Sequence, residues 1–260
     1  MQRVLITGAA GDIGGRLRGT LKGVYPMLRL SDVRPLAAAG AGEEVDQTDL
    51  TDMVAVERMC EGVDGIVHLG GNSTEASWEV IRDANITGTY NLFEAARRQG
   101  VQRIVFATSN HAVGYYRRDQ VIDHQVVVRP DSRYGLSKAF GEALGALYAD
   151  KYGLGVLCVR IGNVGERPID KRRLAIWISP RDLTQLVRIG LEHADLHFEI
   201  VYGVSDNDRS WYDNANAVRL GYEPQDRAED YAEAVLAAEP TRDPNSPGEI
   251  YQGGHLVVED

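Results

Sequence analysis

The sequence predicts an α/β protein: a doubly wound parallel sheet with helices on both faces and a small C-terminal extension. Three observations carry that expectation. A short apolar run, Val4-Leu5-Ile6-Thr7, opens into glycines spaced Gly8-x-x-Gly11-x-x-Gly14 and then into an amphipathic pattern. Over residues 1–165, apolar β-type runs and helical periodicities alternate about six times, the rhythm of parallel strands joined by helices. Several runs end in glycines or polar clusters, and open α/β sheets bind ligands at the carboxyl ends of their strands.

The glycine stretch reads as strand, tight turn and helix N-terminus. Glycine supplies positive φ and a bare backbone, and a helix N-terminus offers N–H groups and a positive dipole end to an anion. In that context the expected ligand is the pyrophosphate of a dinucleotide, held by Gly8, Gly11, Asp12, Ile13 and Gly14 in a Rossmann-type fold. The alternative is an ordinary glycine-rich βα turn. Residues 13–22 form the first helix and 27–32 the second strand. That strand ends in Asp32, 18 positions after Gly14, near the ~20 expected of a carboxylate that grips the adenosine ribose. A carboxylate there accepts from a free diol and repels a 2′-phosphate, so NAD is expected over NADP. Arg34 is the counterargument, and a simple turn or cap aspartate is the alternative for Asp32.

Residues 37–42 are an Ala/Gly-rich loop and 43–46 a weak strand. Asp49-Leu50 begins the next helix, with Thr51 as its cap; Asp49 can reach an adenine amino group. Residues 65–69 are a buried strand running through Leu69 into Gly70-Gly71, where small residues let a cofactor approach. His68 inside this apolar run reads as a core histidine. Residues 77–98, which include Asn85, have helical spacing. A strand at 103–107 opens into Thr108-Ser109-Asn110-His111, residues 134–152 are one long helix, and a strand at 154–161 ends in Gly162-Asn163-Val164-Gly165. From Glu166 the rhythm changes. Residues 168–178 are a basic loop with Lys171, Arg172 and Arg173 before Trp177; a helix at 180–193, a strand at 198–202 and helices at 214–220 and 228–235 follow. The Pro/Gly-rich tail, 240–260, wraps the surface or reaches another subunit. The whole chain reads as one domain, with a cofactor-binding core at 1–165 and the last strand plus a small substrate-binding extension at 166–260.

Composition bounds the function. Apolar residues make up 43% and charged residues 25% of the 260-residue chain, ordinary for a soluble globular protein. A net charge of −10 argues against a nucleic-acid partner. Cys60 and Cys158 are isolated, as expected of buried thiols in a reducing compartment, and no Cys/His cluster suggests a metal. No apolar run approaches the ~20 residues of a membrane span. The first strand leaves no room for a signal peptide, so a cytoplasmic location is expected.

Tyr134-Gly135-Leu136-Ser137-Lys138 carries the chemistry. Residues i and i+4 share a helix face, so the phenol and the ammonium meet in one cleft. A free tyrosine has a pKa near ~10; a nearby cation is expected to lower it and make the pair a general acid/base. Ser109, 25 residues earlier, can hydrogen-bond the same substrate oxygen. A surface Tyr and Lys on an amphipathic helix is the alternative. With Gly8, Gly11, Gly14, Asp32, Asp49-Leu50 and Ser109, these residues resemble the short-chain dehydrogenases/reductases, in their extended, epimerase/dehydratase-like branch. The resemblance implies hydride transfer to a bound nicotinamide. Tyr134 would exchange the proton, Lys138 would hold the nicotinamide ribose and tune Tyr134, and Ser109 would hold the reacting oxygen.

Two departures narrow the substrate. Fewer than 100 residues follow Asn163, little for a lobe that holds a nucleoside diphosphate, so a small substrate is favoured. The segment from Ser109 to Tyr116, with Arg160-Ile161-Gly162-Asn163, the Arg172–Trp177 segment and Leu220 to Asp226, is similar to bacterial uronate dehydrogenases. That similarity implies a uronic acid oxidised at C1 to a lactone. A guanidinium fork suits its carboxylate; Arg172 is the expected partner and Arg173 the alternative, against a merely solvated basic loop. Asn110 and His111 would bond ring hydroxyls, although His111 has the rival reading of a backbone-bonded strand-end histidine. Ser73 and Asn163 are further polar candidates. A homo-oligomer is expected of such an enzyme. The rivals are a nucleotide-sugar epimerase or reductase of the same fold and a non-catalytic dinucleotide sensor.

Overall fold

The apolar run after Arg3 forms β1 (Arg3–Thr7), and Val4, Leu5 and Ile6 are fully buried, as a strand covered on both faces requires. It is the first element of a computed structural model that describes residues 1–259. In order follow α1 (Asp12–Leu21), β2 (Met27–Asp32), β3 (Glu43–Gln47), α2 (Met53–Met59), β4 (Gly65–His68), α3 (Trp78–Val80), α4 (Gly88–Arg98), β5 (Arg103–Ser109), α5 (Arg133–Tyr152), β6 (Gly155–Ile161), β7 (Asn163–Val164), α6 (Arg173–Ile176), β8 (Trp177–Ile178), α7 (Pro180–Glu192), β9 (Phe198–Gly203), α8 (Ala215–Arg219), α9 (Ala232–Ala237) and α10 (Pro247–Ile250). Seven strands make one sheet in the order β3-β2-β1-β4-β5-β6-β9, all parallel. The strand order reverses between β1 and β4, so the loops leaving these two strands flank the crevice of a doubly wound sheet. On one face Leu17 and Leu21 of α1 join Leu183, Leu186 and Leu191 of α7. On the other, Val56 of α2, Phe93 of α4 and Tyr148 of α5 form a second core.

Several expected boundaries move. The second helix starts at Met53, not at Asp49-Leu50, and its cap is Asp52, which accepts from Val54 and Ala55 N–H; Thr51 caps nothing. Asp49 instead folds a local turn, accepting from the Thr51 N–H and hydroxyl at 2.9 Å each. The helical stretch expected at 77–98 is continuous but widens to π spacing over Ile81–Thr87 between α3 and α4. The basic loop expected at 168–178 contains α6 and β8, and β8 pairs with β7. The tail folds onto its own chain: Arg117 bridges to Tyr251, and Gly253 N–H donates to Gly114. His68 is buried, bonded to the hydroxyls of Thr7 (2.7 Å) and Thr89 (3.2 Å), and burial holds it down to about 3. Both cysteines are free and buried.

On the sheet-facing side of α5, Glu142 receives two bonds from Arg160 of β6, at 2.9 Å each, and one from the Thr108 hydroxyl of β5, also at 2.9 Å. Arg160 is 1% exposed. Glu142→Ala strands that charge in the interior, at a cost of about 3–5 kcal/mol. Thermal unfolding should fall by about 10 °C; a shift within 2 °C, read by calorimetry, would mean the pair contributes nothing.

Candidate active site

The cofactor side is built from backbone. Gly8 has φ +69°, and a Cβ there would press on the Leu69 carbonyl carbon at 2.8 Å and the Gly70 nitrogen at 2.9 Å. A Cβ on Gly14 would overlap the Gly8 carbonyl, so α1 lies directly on the loop. Gly11, the N-cap, brings no capping side chain, which leaves the first-turn N–H groups for an anion. Asp12 opens α1, but its carboxylate is held by Arg16 at 3.0 Å, and Arg16 also pairs with Glu166 in the segment after β7. Ile13 packs into the core. Asp32 accepts from Ala10 N–H and Arg34 N–H, both at 2.9 Å. Burial pushes its pKa up, but these bonds and the Arg34 guanidinium outweigh it and hold the carboxyl below its usual range. Arg34 thus sits beside Asp32, 3.3 Å away, with its side chain largely exposed.

From the other strand, Gly70 N–H donates to the Thr7 hydroxyl at 3.1 Å, and Gly71 has φ +127°. Leu69 packs into the core, and Leu50 fills the space beside Gly70 and Gly88. Asp49 stays in its exposed turn with Thr51. Asn85, expected on the cofactor, is buried beside Gly71: it accepts from Asn72 N–H at 2.7 Å and donates to the Asn72 carbonyl at 2.9 Å and the Ser137 hydroxyl at 3.0 Å. The glycine-lined cradle, the uncapped helix start and the Asp32 carboxylate fit a dinucleotide.

Ser132 caps α5 by accepting from Gly135 N–H at 3.0 Å. One turn in, Tyr134 and Lys138 share a face, and the Lys138 Nζ lies 5.5 Å from the Tyr134 ring centre. That ammonium donates to the Ala107 carbonyl at 2.9 Å, and burial lowers its pKa to about 8. The expected fall in the tyrosine pKa does not occur in the chain alone. Burial pushes Tyr134 up to about 12, while a hydrogen bond from Ser109 pulls the other way and Asp131 adds to the rise. Desolvation of the phenolate outweighs everything the protein sets against it. Ser109 is buried and accepts from His111 N–H at 3.2 Å.

On the opposite wall Asn110 is fully buried in a 3₁₀ turn, Asn110–Val113. Its amide donates to the Ile161 carbonyl at 3.2 Å and accepts from Arg172 Nη2 at 3.0 Å. Arg172 also donates through Nε and Nη2 to the Gln252 carbonyl, at 3.0 and 2.8 Å. Among the described residues it has no carboxylate partner, and burial lowers its pKa to about 10. Arg173, the alternative, is already paired with Asp170. His111 bonds a carboxylate rather than backbone: Nδ1 lies 2.7 Å from Asp131 Oδ2. Ser73 is exposed in the loop after β4, and Asn163 is half-buried in β7 beside Trp177. Sequence reasoning missed Asp131, Gln252 and Tyr212. The Tyr212 hydroxyl is buried without a partner among the described residues, stacked on Tyr202. Only Asp131, just before the Ser132 cap, stood near a recognised motif.

Lys138 supplies a test of this electrostatic frame. Its folded pKa, about 8, lies below its ordinary 10.5, so between those values the unfolded chain binds more protons and stability rises with pH. Relative to Lys138→Met, the cofactor-free wild type should gain on the order of 2–3 kcal/mol between pH 8 and 10 in denaturant titrations. A difference that stays flat would mean a solvated ammonium.

Comparison with known proteins agrees with this geometry. The profile of the NAD dependent epimerase/dehydratase family matches residues 4–211. The uronate dehydrogenase of Pseudomonas putida is 48% identical over 98% of this chain and 96% of its own length. A glucuronic acid dehydrogenase from Chromohalobacter salexigens superposes with a TM-score of 0.97 at 45% identity, covering 100% of this chain and 97% of that one. A point mutant of the uronate dehydrogenase from Agrobacterium tumefaciens, complexed with NAD, gives 0.97 at 43% identity, covering 100% and 98%. The chain belongs to the NAD-dependent epimerase/dehydratase family.

Proposed function

We propose that the protein is an NAD-dependent uronate dehydrogenase, oxidising the C1 hydroxyl of cyclic D-glucuronate or D-galacturonate to the aldarolactone. The observation that carries this reading is Arg172: a partly buried guanidinium bonded only to neutral oxygens, one of them on Asn110, the chain neighbour of Ser109. A desolvated cation without an anion favours a carboxylate ligand. The names borne by the relatives, uronate and glucuronic acid dehydrogenases, point the same way.

The chain's own residues divide the work. Gly8, Gly11, Gly14 and the start of α1 would hold the pyrophosphate, and Asp32 the adenosine ribose. When bound, NAD supplies the acceptor for the C1 hydride. Ser109 donates to the reacting oxygen and Tyr134 takes the hydroxyl proton. Lys138 stabilises the phenolate through its charge and holds the nicotinamide ribose. Asn110, His111, Ser73 and Asn163 bond the sugar, and Arg172 the carboxylate. Losing a hydride and a proton turns a hemiacetal carbon into an ester, so the product is a lactone. A nucleotide-sugar epimerase is disfavoured because the chain after β9 is used in closing the wall around Arg172 and Asp131. A non-catalytic sensor has no use for Ser109, Tyr134 and Lys138 together.

No helix among the described residues is long and apolar enough to cross a membrane. The finer expectations, a cytoplasmic location and a homo-oligomer, draw support from the two free thiols and from exposed Tyr90, Leu136 and Leu147 on α4 and α5. Light scattering should then give a mass above that of one chain.

NADH should appear with either uronate, and a chain that binds NAD yet reduces none with both acids would overturn the proposal. Tyr134→Phe should lower kcat by about a thousandfold with NAD affinity kept within twofold by calorimetry. Arg172→Ala should raise KM for the acid at least about tenfold and Arg173→Ala by less than threefold; the reverse order would move the carboxylate to Arg173.

A further inference from the structure

Asp131 precedes the cap of α5, and its carboxylate is fully shielded from solvent. Oδ2 receives His111 Nδ1 at 2.7 Å, and Oδ1 receives the Ser132 hydroxyl at 2.8 Å. Its space is made by two glycines, for a Cβ on Gly114 or on Gly253 would overlap Oδ2. Three segments therefore close around one charge: the turn after β5, the entry to α5 and the C-terminal tail. A carboxylate is acceptor-only, so the His111 ring must present N–H at Nδ1. The second-partner rule for histidine then assigns the other nitrogen its role.

The groups facing His111 come from each neighbouring element. Asp131 approaches from the loop before α5, Arg172 from the segment before α6 and His255 from the tail. The Tyr134 ring of α5 stands edge-on at 5.9 Å. Burial, Arg172 and His255 disfavour a charged imidazole more than Asp131 favours one. A ring that is neutral and carries its proton on Nδ1 has a bare lone pair on Nε2, which accepts and cannot donate.

We propose that Asp131 is a positioning residue that locks His111 with its proton on Nδ1, so that Nε2 accepts a hydrogen bond from one hydroxyl of the substrate's sugar ring. The inference rests on the uronate reading for the identity of that ring, while the tautomer is a property of the chain alone. A site that demands a hydroxyl proton discriminates against sugars that lack that hydroxyl or carry it alkylated, because Nε2 of a largely desolvated ring is then left without its donor.

The test uses full-length, cofactor-free protein labelled with ¹⁵N in its histidine rings. Near neutral pH, long-range ¹H–¹⁵N correlation should show His111 with a protonated Nδ1 and a bare Nε2, and the Nε2 resonance should move when D-glucuronate and NADH are added. Asp131→Asn should give a mixture of tautomers. It should also raise KM for the uronate about tenfold, with kcat lowered less than threefold and NAD affinity unchanged. A wild-type His111 that is doubly protonated or protonated on Nε2 overturns the proposal without any variant, so a poorly folding Asp131→Asn leaves it falsifiable. An Asp131→Asn protein with unchanged tautomer and KM overturns it too, as does one that loses NAD affinity and kcat together, the mark of a merely structural role. Absence of uronate turnover by the wild type would remove the acceptor role along with the substrate reading, and the spectrum separates that failure from a wrong tautomer.

Discussion

The buried pair of Glu142 and Arg160 sets the position of everything that acts chemically on α5. Glu142 lies one turn beyond Lys138 and two beyond Tyr134, on the face that looks at the sheet. Through it the helix is bonded to β6 by Arg160 and to β5 by Thr108. Arg160 continues to the Tyr202 hydroxyl of β9 at 3.2 Å, which donates to the Asp123 carbonyl at 2.8 Å. Taking two charges out of water offsets much of their attraction, so the larger consequence is geometric. An apolar contact would let α5 slide; a two-pronged ion pair does not. Displacement of a reacting group by about 1 Å can cost a hundredfold in rate, and Tyr134 stands at the far end of this lever.

Glu142 and Arg160 are paired with each other. The two cations of the cleft are not. Lys138 and Arg172 are each bonded to neutral oxygens, Ala107 and Gln252 among them, in a chain of net charge −10. Desolvation has lowered both, to about 8 and about 10, the signature of charge held ready without an internal counterion. A negative protein thus holds two cations without carboxylate partners in its cleft, and both a pyrophosphate and a sugar carboxylate are anions. The outer negative charge repels such ligands at long range, but salt screens it within about 10 Å at ordinary ionic strength, whereas the low-dielectric cleft keeps its field.

What could be read from the sequence follows from how local the causes are. The strand, the glycines and the start of α1 lie within a dozen residues, and Asp32 meets Ala10 and Arg34 next to that loop, so spacing alone placed them on the crevice. Tyr134 and Lys138 are one turn apart. The start of α2 was misread by a few residues because two aspartates, Asp49 and Asp52, both make turn bonds and only geometry decides which one caps. The π widening at Ile81–Thr87 leaves no mark on periodicity over so short a stretch. Asp131, Gln252 and Tyr212 were invisible for another reason. Each meets a residue brought near by the fold, 10 residues away for Tyr212 and Tyr202, 20 for Asp131 and His111 and 80 for Gln252 and Arg172, and the tail that carries Gln252 looks like a loose Pro/Gly segment. The tyrosine pKa was misjudged because spacing reveals the cation but not the desolvation.

The tail also changes what Arg172 can do. Gln252 is fully buried and anchored through its own amide to the Arg117 and Gln120 carbonyls, at 3.0 and 3.1 Å. Its carbonyl takes Nε and Nη2 of Arg172, and Asn110 takes Nη2 as well. A guanidinium has five N–H groups; three are thereby engaged, and the two on Nη1 have no acceptor among the described residues. The forked edges that usually match a carboxylate side by side each include Nε or Nη2 and are occupied. A carboxylate must approach end-on, at Nη1, or displace the Gln252 carbonyl. End-on binding gives up part of the bidentate strength but leaves the guanidinium plane fixed by the tail and by Asn110. Arg172, the proposed carboxylate partner, is thus located by a peptide carbonyl 80 residues away in sequence, and Asn110, its other partner, is the chain neighbour of Ser109. One buried amide, Asn110, therefore ties the Arg172 guanidinium to the end of β5, so a shift of the tail at Gln252 is passed to the residue beside Ser109.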